Sequence, residues 1–200
     1  MKQALIVLHI FFFLGGLAQT SSEVASAEAY QAKMNRDFKD PEHSPLPPDE
    51  IPDFEGLEFF PVDPSYIVTG EFVRTPFEVP FAMPTTTERK PLYVKYGEIH
   101  FKLKGKNYKL NVYQSQDLIK DPEYADYLFL PFTDLTNGKS IYAGGRYLDM
   151  SIPTSNCVVL NFNKSYNPYC AYSGNYSCPI PPKENHLEVP VEAGIKAYHK

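Results

Sequence analysis

The chain has 200 residues with a formal net charge of −5, and 43% of the residues are hydrophobic, which is enough for one well-buried core. Its 15 Tyr, 14 Phe and 19 Pro, with no Trp, favour strands and turns over a helical bundle. The negative charge and the lack of a basic patch in the sequence argue against a nucleic-acid partner.

The first 18 residues have the pattern of a signal peptide. Lys2 supplies a positive start, Ala4–Leu14 is the apolar segment, and small residues end at Ala18, where a signal peptidase would cleave. The apolar segment is too short to span a membrane comfortably. The sequence therefore predicts a periplasmic or secreted protein that has no membrane span after cleavage.

Residues 19–52 are predicted to form a polar tether, a short helix and a Pro-rich linker. The helix is expected over Ala27–Phe38 with Ser26 as its N-cap. Its apolar residues, Tyr30, Met34 and Phe38, fall four positions apart, and this stripe is expected to pack on the main domain. The acidic, Pro-rich segment 40–52 is typical of an extended linker.

Residues 53–200 are predicted to form a single β-rich domain. Apolar and polar residues alternate in short segments spaced about ten residues apart, with turn signals between them. The expected strands are Tyr66–Arg74, Phe77–Met83, Glu98–Leu103, Tyr108–Tyr113, Tyr127–Phe132, Ser140–Tyr142, Tyr147–Ile152, Cys157–Phe162 and Leu187–Val191. A short helix is expected within Gln116–Tyr124. The pattern predicts a mainly β fold, a compact antiparallel β-sandwich or barrel with one N-terminal helix.

Several motifs, in the same order along the chain, resemble one known family. They are FEGLEFFP at Phe54–Pro61, DLTNGK at Asp134–Lys139, GRYLD at Gly145–Asp149, YNPYCA at Tyr166–Ala171, CPIPP at Cys178–Pro182, Glu184-Asn185 and Ala193-Gly194. Over nearly the whole mature chain, the sequence resembles the bacterial and archaeal domain-of-unknown-function family 1684 (DUF1684). Because that family is uncharacterised, the resemblance implies no activity, substrate or cofactor.

The irregular segment 161–185 holds two of the three cysteines. Cys170 and Cys178 are eight positions apart, which allows a disulfide that would hold this segment rigid in an oxidising compartment. The alternative is a Cys170 thiolate nucleophile with His186 as its base. Cys157 lies in an apolar strand pattern and is expected to be a core residue. The histidines and cysteines lack the spacing of a structural zinc site, so no metal or cofactor is predicted.

Polar side chains at predicted strand ends and turns form the candidate binding site. They are Asp134, Tyr142, Arg146, Asp149, Asn163, Tyr166, Asn167 and Asn185. Arg146 follows two glycines, so backbone can approach closely while its guanidinium offers a bidentate fork to a carboxylate, a phosphate or sugar hydroxyls. The competing interpretation is a structural network in which Arg146 pairs with Asp134 or Asp149 and the asparagines bond to loop backbone.

Together these observations predict an exported cell-envelope protein. Its expected role is a small-molecule or glycan binding module, or a structural module, with a polar pocket around Arg146 and the Tyr166-Asn167 loop. Its expected partner is a small molecule or an envelope component. The alternative function is a hydrolase or transferase that uses Cys170, or the two carboxylates of Asp134 and Asp149 as a glycosidase pair.

Overall fold

The computed structural model describes residues 2–199, with side chains from Gln19 onward. Helix α1 spans Lys2–Lys39, and most of the remaining chain builds one curled antiparallel sheet, a half-barrel. The prediction of a mainly β fold with an N-terminal helix is confirmed. Among the residues described with side chains, no helix is both long enough and apolar enough to cross a membrane.

Eight strands form the sheet. They are β1 (Ile67–Arg74), β2 (Phe81–Ala82), β3 (Leu92–Leu103), β4 (Lys106–Ser115), β5 (Tyr127–Asp134), β6 (Arg146–Ser151), β7 (Cys157–Asn161) and β8 (His186–Leu187). The main order is β6-β5-β4-β3-β1-β7, with β2 paired to β3 and β8 paired in parallel to β5. Single turns of 3-10 helix lie at Pro64–Tyr66, Leu118–Lys120, Pro122–Tyr124, Phe162–Lys164, Tyr169–Ala171 and Lys183–Asn185.

The observed elements differ from the predicted ones mainly at the sheet margins. The expected strand Phe77–Met83 shrinks to the two residues of β2, since the prolines around it cannot donate to a ladder. The expected strand Ser140–Tyr142 is a turn region with one isolated bridge at Ile141. β3 begins at Leu92 rather than at Glu98, and the last predicted strand is reduced to β8. The expected short helix after β4 is two 3-10 turns.

The two faces of the sheet pack differently. Along β5, Leu128 and Leu130 point to one face, while Tyr127 and Phe129 point to the other, as the two-residue period of a strand requires. The first face carries the main core, which extends over seven strands and includes the buried Val189, Val191 and Ala193 that follow β8. The opposite face, here called the aromatic face, carries Met83, Tyr93, Tyr113, Phe129 and Tyr147, with Phe81, Tyr127 and Tyr166 packed against them.

Helix α1 packs on the domain through its predicted apolar stripe. Phe38 is buried and Met34 packs beside it in a cluster that includes Leu46 and Phe54. Residues 19–26, predicted to form a tether, are part of α1. The predicted linker is anchored to the domain by the buried Leu46 rather than extended. The predicted signal peptide over residues 1–18 lies outside the residues described with side chains, and its cleavage stays a prediction.

Candidate binding cleft

An open cleft of about 470 Å³ lies over the aromatic face, between α1 and the segment 166–179. Its walls are largely aromatic: Tyr30 comes from α1, Tyr127 from β5 and Tyr147 from β6. Two acidic side chains line the cleft: Asp37 of α1, which is paired with Lys33, and Asp149 of β6. The lining thus combines broad apolar surface with a small number of polar groups, which is the usual make-up of a ligand site.

The sheet register brings the acidic and aromatic side chains together. Phe129 of β5 pairs with Asp149 of β6, so Tyr127, Phe129, Tyr147 and Asp149 all alternate onto the aromatic face. Tyr166 joins them because its backbone forms two hydrogen bonds with Tyr147, with N–O distances of 2.9 and 3.0 Å. The ring of Tyr166 stands edge-on to that of Tyr147 at a centroid distance of 5.7 Å.

Asp149 is held by two tyrosine hydroxyls. Its Oδ1 accepts hydrogen bonds from the hydroxyls of Tyr127 and Tyr166, each 2.6 Å away. Its Oδ2 has no hydrogen-bond donor among the described side chains, and solvent still reaches the residue through the cleft. Burial by the surrounding walls raises the pKa of Asp149, and the two hydroxyls lower it by a smaller amount.

The tyrosines around Asp149 stay protonated and act as donors. Burial, followed by the charge of Asp149, raises the pKa of Tyr127 and of Tyr166 well above the usual value. The same two causes raise the pKa of Tyr30. A smaller cavity of about 280 Å³ between β6, β7 and α1 shares Tyr30 and Asp149 with the cleft, so these two side chains stand where the cavities meet.

The cations at the cleft are engaged elsewhere. Lys33 forms an ion pair with Asp37 along α1, and the guanidinium of Arg89 donates to the carbonyl of Ser177 over 3.2 Å. Within the described part of the chain, no lysine, arginine or histidine forms an ion pair with Asp149. The carboxylate therefore faces the cleft without a protein counter-ion.

Arg146, the predicted anchor of a pocket, lies instead in a closed ion pair on the core face of β6. Its side chain is fully buried, and Nη2 donates to Asp134 Oδ2 over 3.0 Å and to the carbonyl of Val191 over 2.8 Å. Nη1 donates to the carbonyls of Ala193 and Ile195. The prediction of a pocket at Arg146 is wrong because its fork is filled by Asp134 and the C-terminal segment, so no face is left for a ligand.

Two predicted binding asparagines are also structural. Asn163 is fully buried and exchanges hydrogen bonds with the backbone of Asp63, at 2.9 and 3.0 Å. Asn167 is buried and donates to the carbonyl of Lys196 over 2.9 Å. These contacts match the structural network that the sequence left open as the competing interpretation.

Asn185 completes the sheet where a proline interrupts it. Pro131 of β5 lies beside Asn111 of β4 and has no N–H to offer. The Asn185 carboxamide accepts from the Asn111 N–H over 2.8 Å and donates to the carbonyls of Asn111 and Pro131 over 2.8 and 2.7 Å. This side chain replaces the missing backbone partner, so Asn185 is a sheet residue rather than a ligand contact.

The predicted disulfide is not formed. Cys170 and Cys178 are free thiols, although the N–H of Cys170 lies 3.2 Å from Cys178 Sγ. Tyr142 places its hydroxyl 3.8 Å from Cys170 Sγ and does not reach Asp149. The prediction for Cys157 is wrong, since its side chain is exposed on β7, an edge strand of the sheet.

Neither predicted catalytic pair is assembled. His186 bonds to the hydroxyl of Thr133 over 2.9 Å and lies near Glu188, so its ring is not the base of Cys170. Asp134 is buried in its ion pair with Arg146 and cannot reach a substrate beside Asp149. The hydrolase interpretations lose their geometric support on these two observations.

Sequence reasoning missed several cleft residues, chiefly Tyr30 and Tyr127. Tyr127 could have been identified from the sequence, because strand alternation puts it on the same face of the sheet as Asp149 of the neighbouring strand. Tyr30 begins the helical stripe that was predicted to face the domain. Of the eight predicted site residues, Asp149 and Tyr166 line the cleft.

Comparison with known proteins gives the family but no activity. A family model described as "Protein of unknown function (DUF1684)" matches residues 52–196. The solution NMR structure of an uncharacterized protein from Haloarcula marismortui is similar, with 32% sequence identity and a TM-score of 0.69, over 90% of this chain and 96% of that one. No curated protein matches the sequence.

Proposed function

This chain belongs to the DUF1684 family of proteins of unknown function, and we propose that it is a small-molecule-binding module of the cell envelope whose site is the cleft around Asp149. The observation that carries the proposal is a carboxylate without a counter-ion in an aromatic cleft. The cleft volume of about 470 Å³ suits a small organic ligand.

The ligand chemistry follows from what Asp149 lacks. Burial disfavours the charged form of Asp149, and the hydrogen bonds that it accepts from two tyrosine hydroxyls offset this effect only in part. A protonated amine would supply both the missing positive charge and a donor for Oδ2. The surrounding tyrosine rings add cation–π attraction for the same ligand. The proposed ligand is therefore an organic cation with an apolar body.

Helix α1 belongs to the proposed site. Tyr30 and Met34 form one wall of the cleft, so a binding-competent protein keeps this part of the helix. Export, if it follows the N-terminal pattern, removes residues up to Ala18 and leaves both side chains in place. N-terminal sequencing of the protein recovered from the periplasm or medium tests this point: a start at Gln19 supports export, whereas an intact N-terminus in the cytosol contradicts it.

A matched ligand pair tests the binding proposal. 2-Phenylethylamine, which is protonated at neutral pH, and 2-phenylethanol have similar shapes, but only the amine is charged, and calorimetric titration compares their affinities directly. We expect the amine to bind more tightly than its neutral partner, and Asp149→Asn to weaken amine binding about tenfold, which is about 1.4 kcal/mol. Glu188→Gln is the matched control, since that carboxylate is 79% exposed and lies outside the cleft.

Two outcomes would overturn the proposal for an organic cation. One is equal affinity for the charged and neutral ligands in the wild-type protein. The other is unchanged amine binding in Asp149→Asn. Soluble oligosaccharides form a further arm, because aromatic rings also stack on sugars. Binding of neutral sugars without amines would replace the cation with a glycan and reject the charge argument.

A further inference from the structure

Cys170 and Cys178 form a pair that the proposed binding site does not use. They close the segment 170–178, of which Tyr176, Ser177 and Cys178 line the cleft. The Cys170 N–H donates to Cys178 Sγ over 3.2 Å, which places the two cysteines in direct contact. Neither cysteine forms a disulfide, so the fold holds two free thiols next to each other.

The two thiols differ in access and acidity. Cys170 is half-buried, whereas Cys178 is buried. The Cys178 thiol, together with the hydroxyls of Tyr142 and Thr86, holds the pKa of Cys170 at about 6 against the effect of burial. The pKa of Cys178 is raised by the same contact and by burial. These contacts favour the thiolate, which is the nucleophilic form, at Cys170, the more accessible of the two sulfurs.

The backbone holds the two sulfurs differently. Cys178 is fixed by a reciprocal pair with Thr86: its N–H donates to Thr86 Oγ1 over 3.1 Å and its carbonyl accepts from the Thr86 N–H over 2.9 Å. Cys170 lies in the 3-10 turn Tyr169–Ala171. Between them, the Gly174 backbone is exposed and has open space around it. This segment can adjust when the sulfurs bond, without disturbing the anchored end.

We propose that Cys170 and Cys178 are a reversible dithiol–disulfide couple, in which Cys170 attacks an external disulfide and Cys178 resolves the product. The Cys170 thiolate bonds to one sulfur of the oxidant and expels the other as a thiolate. The Cys178 thiol then loses its proton, and its sulfur attacks Cys170 Sγ and expels the remaining half of the oxidant. The released thiolates take up the protons lost by the cysteines, so two protein thiols and one disulfide become one protein disulfide and two small thiols.

A glutathione titration in a Cys157→Ser background tests the couple. The protein is equilibrated with mixtures of reduced and oxidised glutathione, trapped with a maleimide and analysed by mass spectrometry. We expect both thiols to disappear together, with peptide mapping showing a Cys170–Cys178 bond that added thiol reverses. In the additional Cys178→Ser variant the reaction should stop at about one glutathione on Cys170.

Reaction rates provide a readout that a structural role would not move. In wild-type protein, alkylation of Cys170 should exceed that of the exposed Cys157 by about tenfold near neutral pH and should rise through a midpoint near the pKa of about 6. Tyr142→Phe should move this midpoint upward, because it removes a donor to the thiolate. Loss of each thiol independently, a bond that glutathione cannot reduce, or faster alkylation of Cys157 would each overturn the proposal.

Discussion

Two carboxylates on neighbouring strands, Asp134 and Asp149, occupy opposite environments. Asp134 ends β5 on the core side, where it is fully buried and paired with Arg146. It also accepts from the N–H and hydroxyl of Thr136, at 2.8 and 2.5 Å, and from the N–H of Val191, at 3.1 Å. Asp149 lies on the other face, accepts only two tyrosine hydroxyls and has no counter-ion among the described side chains.

The difference separates a structural carboxylate from a candidate functional one. A fully partnered charge holds segments together: the Asp134–Arg146 pair joins β5 and β6 to the segment 191–195. A charge that lies among cleft walls, is still reached by solvent and is only half-satisfied leaves binding capacity unused, at an energetic cost in the free protein. Substitutions at the closed site should therefore change stability most, whereas substitutions at the open site should change protonation and binding.

The largest effect is expected at the closed ion pair. Arg146→Met should lower the free energy of unfolding by about 3–5 kcal/mol, because Asp134 would be left buried without its counter-charge. Denaturant titration measures the change. Arg36→Met, on an exposed position of α1, is the control and should stay within about 0.5 kcal/mol of wild type. Pairing Arg146→Met with Asp134→Asn should recover part of the loss; no recovery would show that charge is not the cause.

A smaller loss is expected at the interrupted ladder between β4 and β5. Asn185→Ala should destabilise the fold by about 2–3 kcal/mol, since it leaves the Asn111 N–H and two buried carbonyls without the hydrogen bonds that Asn185 supplies. Hydrogen exchange of the Asn111 amide should accelerate in the same variant. Asn175→Ala, at an exposed loop position, supplies the comparison. An Asn111 amide as protected as in wild type would contradict the role given to Asn185.

Removing the charge at the open site should favour the folded state, whereas removing the charge of Arg146 at the closed site should disfavour it. Because burial raises the pKa of Asp149, the folded state binds its proton more tightly than the unfolded state does. The free energy of unfolding therefore falls as pH rises from the ordinary pKa of an aspartate through the raised pKa of folded Asp149. Asp149→Asn removes this penalty, so its stability relative to wild type should increase from acid to neutral pH. Urea titrations across that range measure the difference; a constant difference would mean that Asp149 is not penalised.

The sequence predicted the strand framework well, because alternation in β1, β4, β5, β6 and β7 records which face is buried. It also predicted that Met34 and Phe38 pack on the domain. It could not show that Arg146 faces inward, because the partners that fill its fork include carbonyls about 45–50 residues further along the chain.

The cleft was harder to predict than the fold. Its acidic residue, Asp149, was among the predicted site residues. The environment of Asp149, however, includes Tyr30, which lies more than a hundred residues away on α1, and no local sequence pattern specifies the angle at which this helix packs. The cysteine spacing predicted adjacency, which the structure has, but not the bonding state, which depends on the redox environment as well as on geometry.

The smallest effect is expected within the Asp149 cluster. Tyr166→Phe removes one of the two hydroxyls that lower the pKa of Asp149, so that pKa should rise further than in wild type. Carboxyl NMR titration of aspartate-labelled protein measures it. Tyr108→Phe is the control, since its hydroxyl bonds only to the distant Glu188 carbonyl, and it should leave the Asp149 titration unchanged. If amine binding requires ionised Asp149, the pH at which binding is half-lost should rise in Tyr166→Phe by the same amount as the pKa. A shift of the pKa without that of binding would separate the carboxylate from ligand recognition.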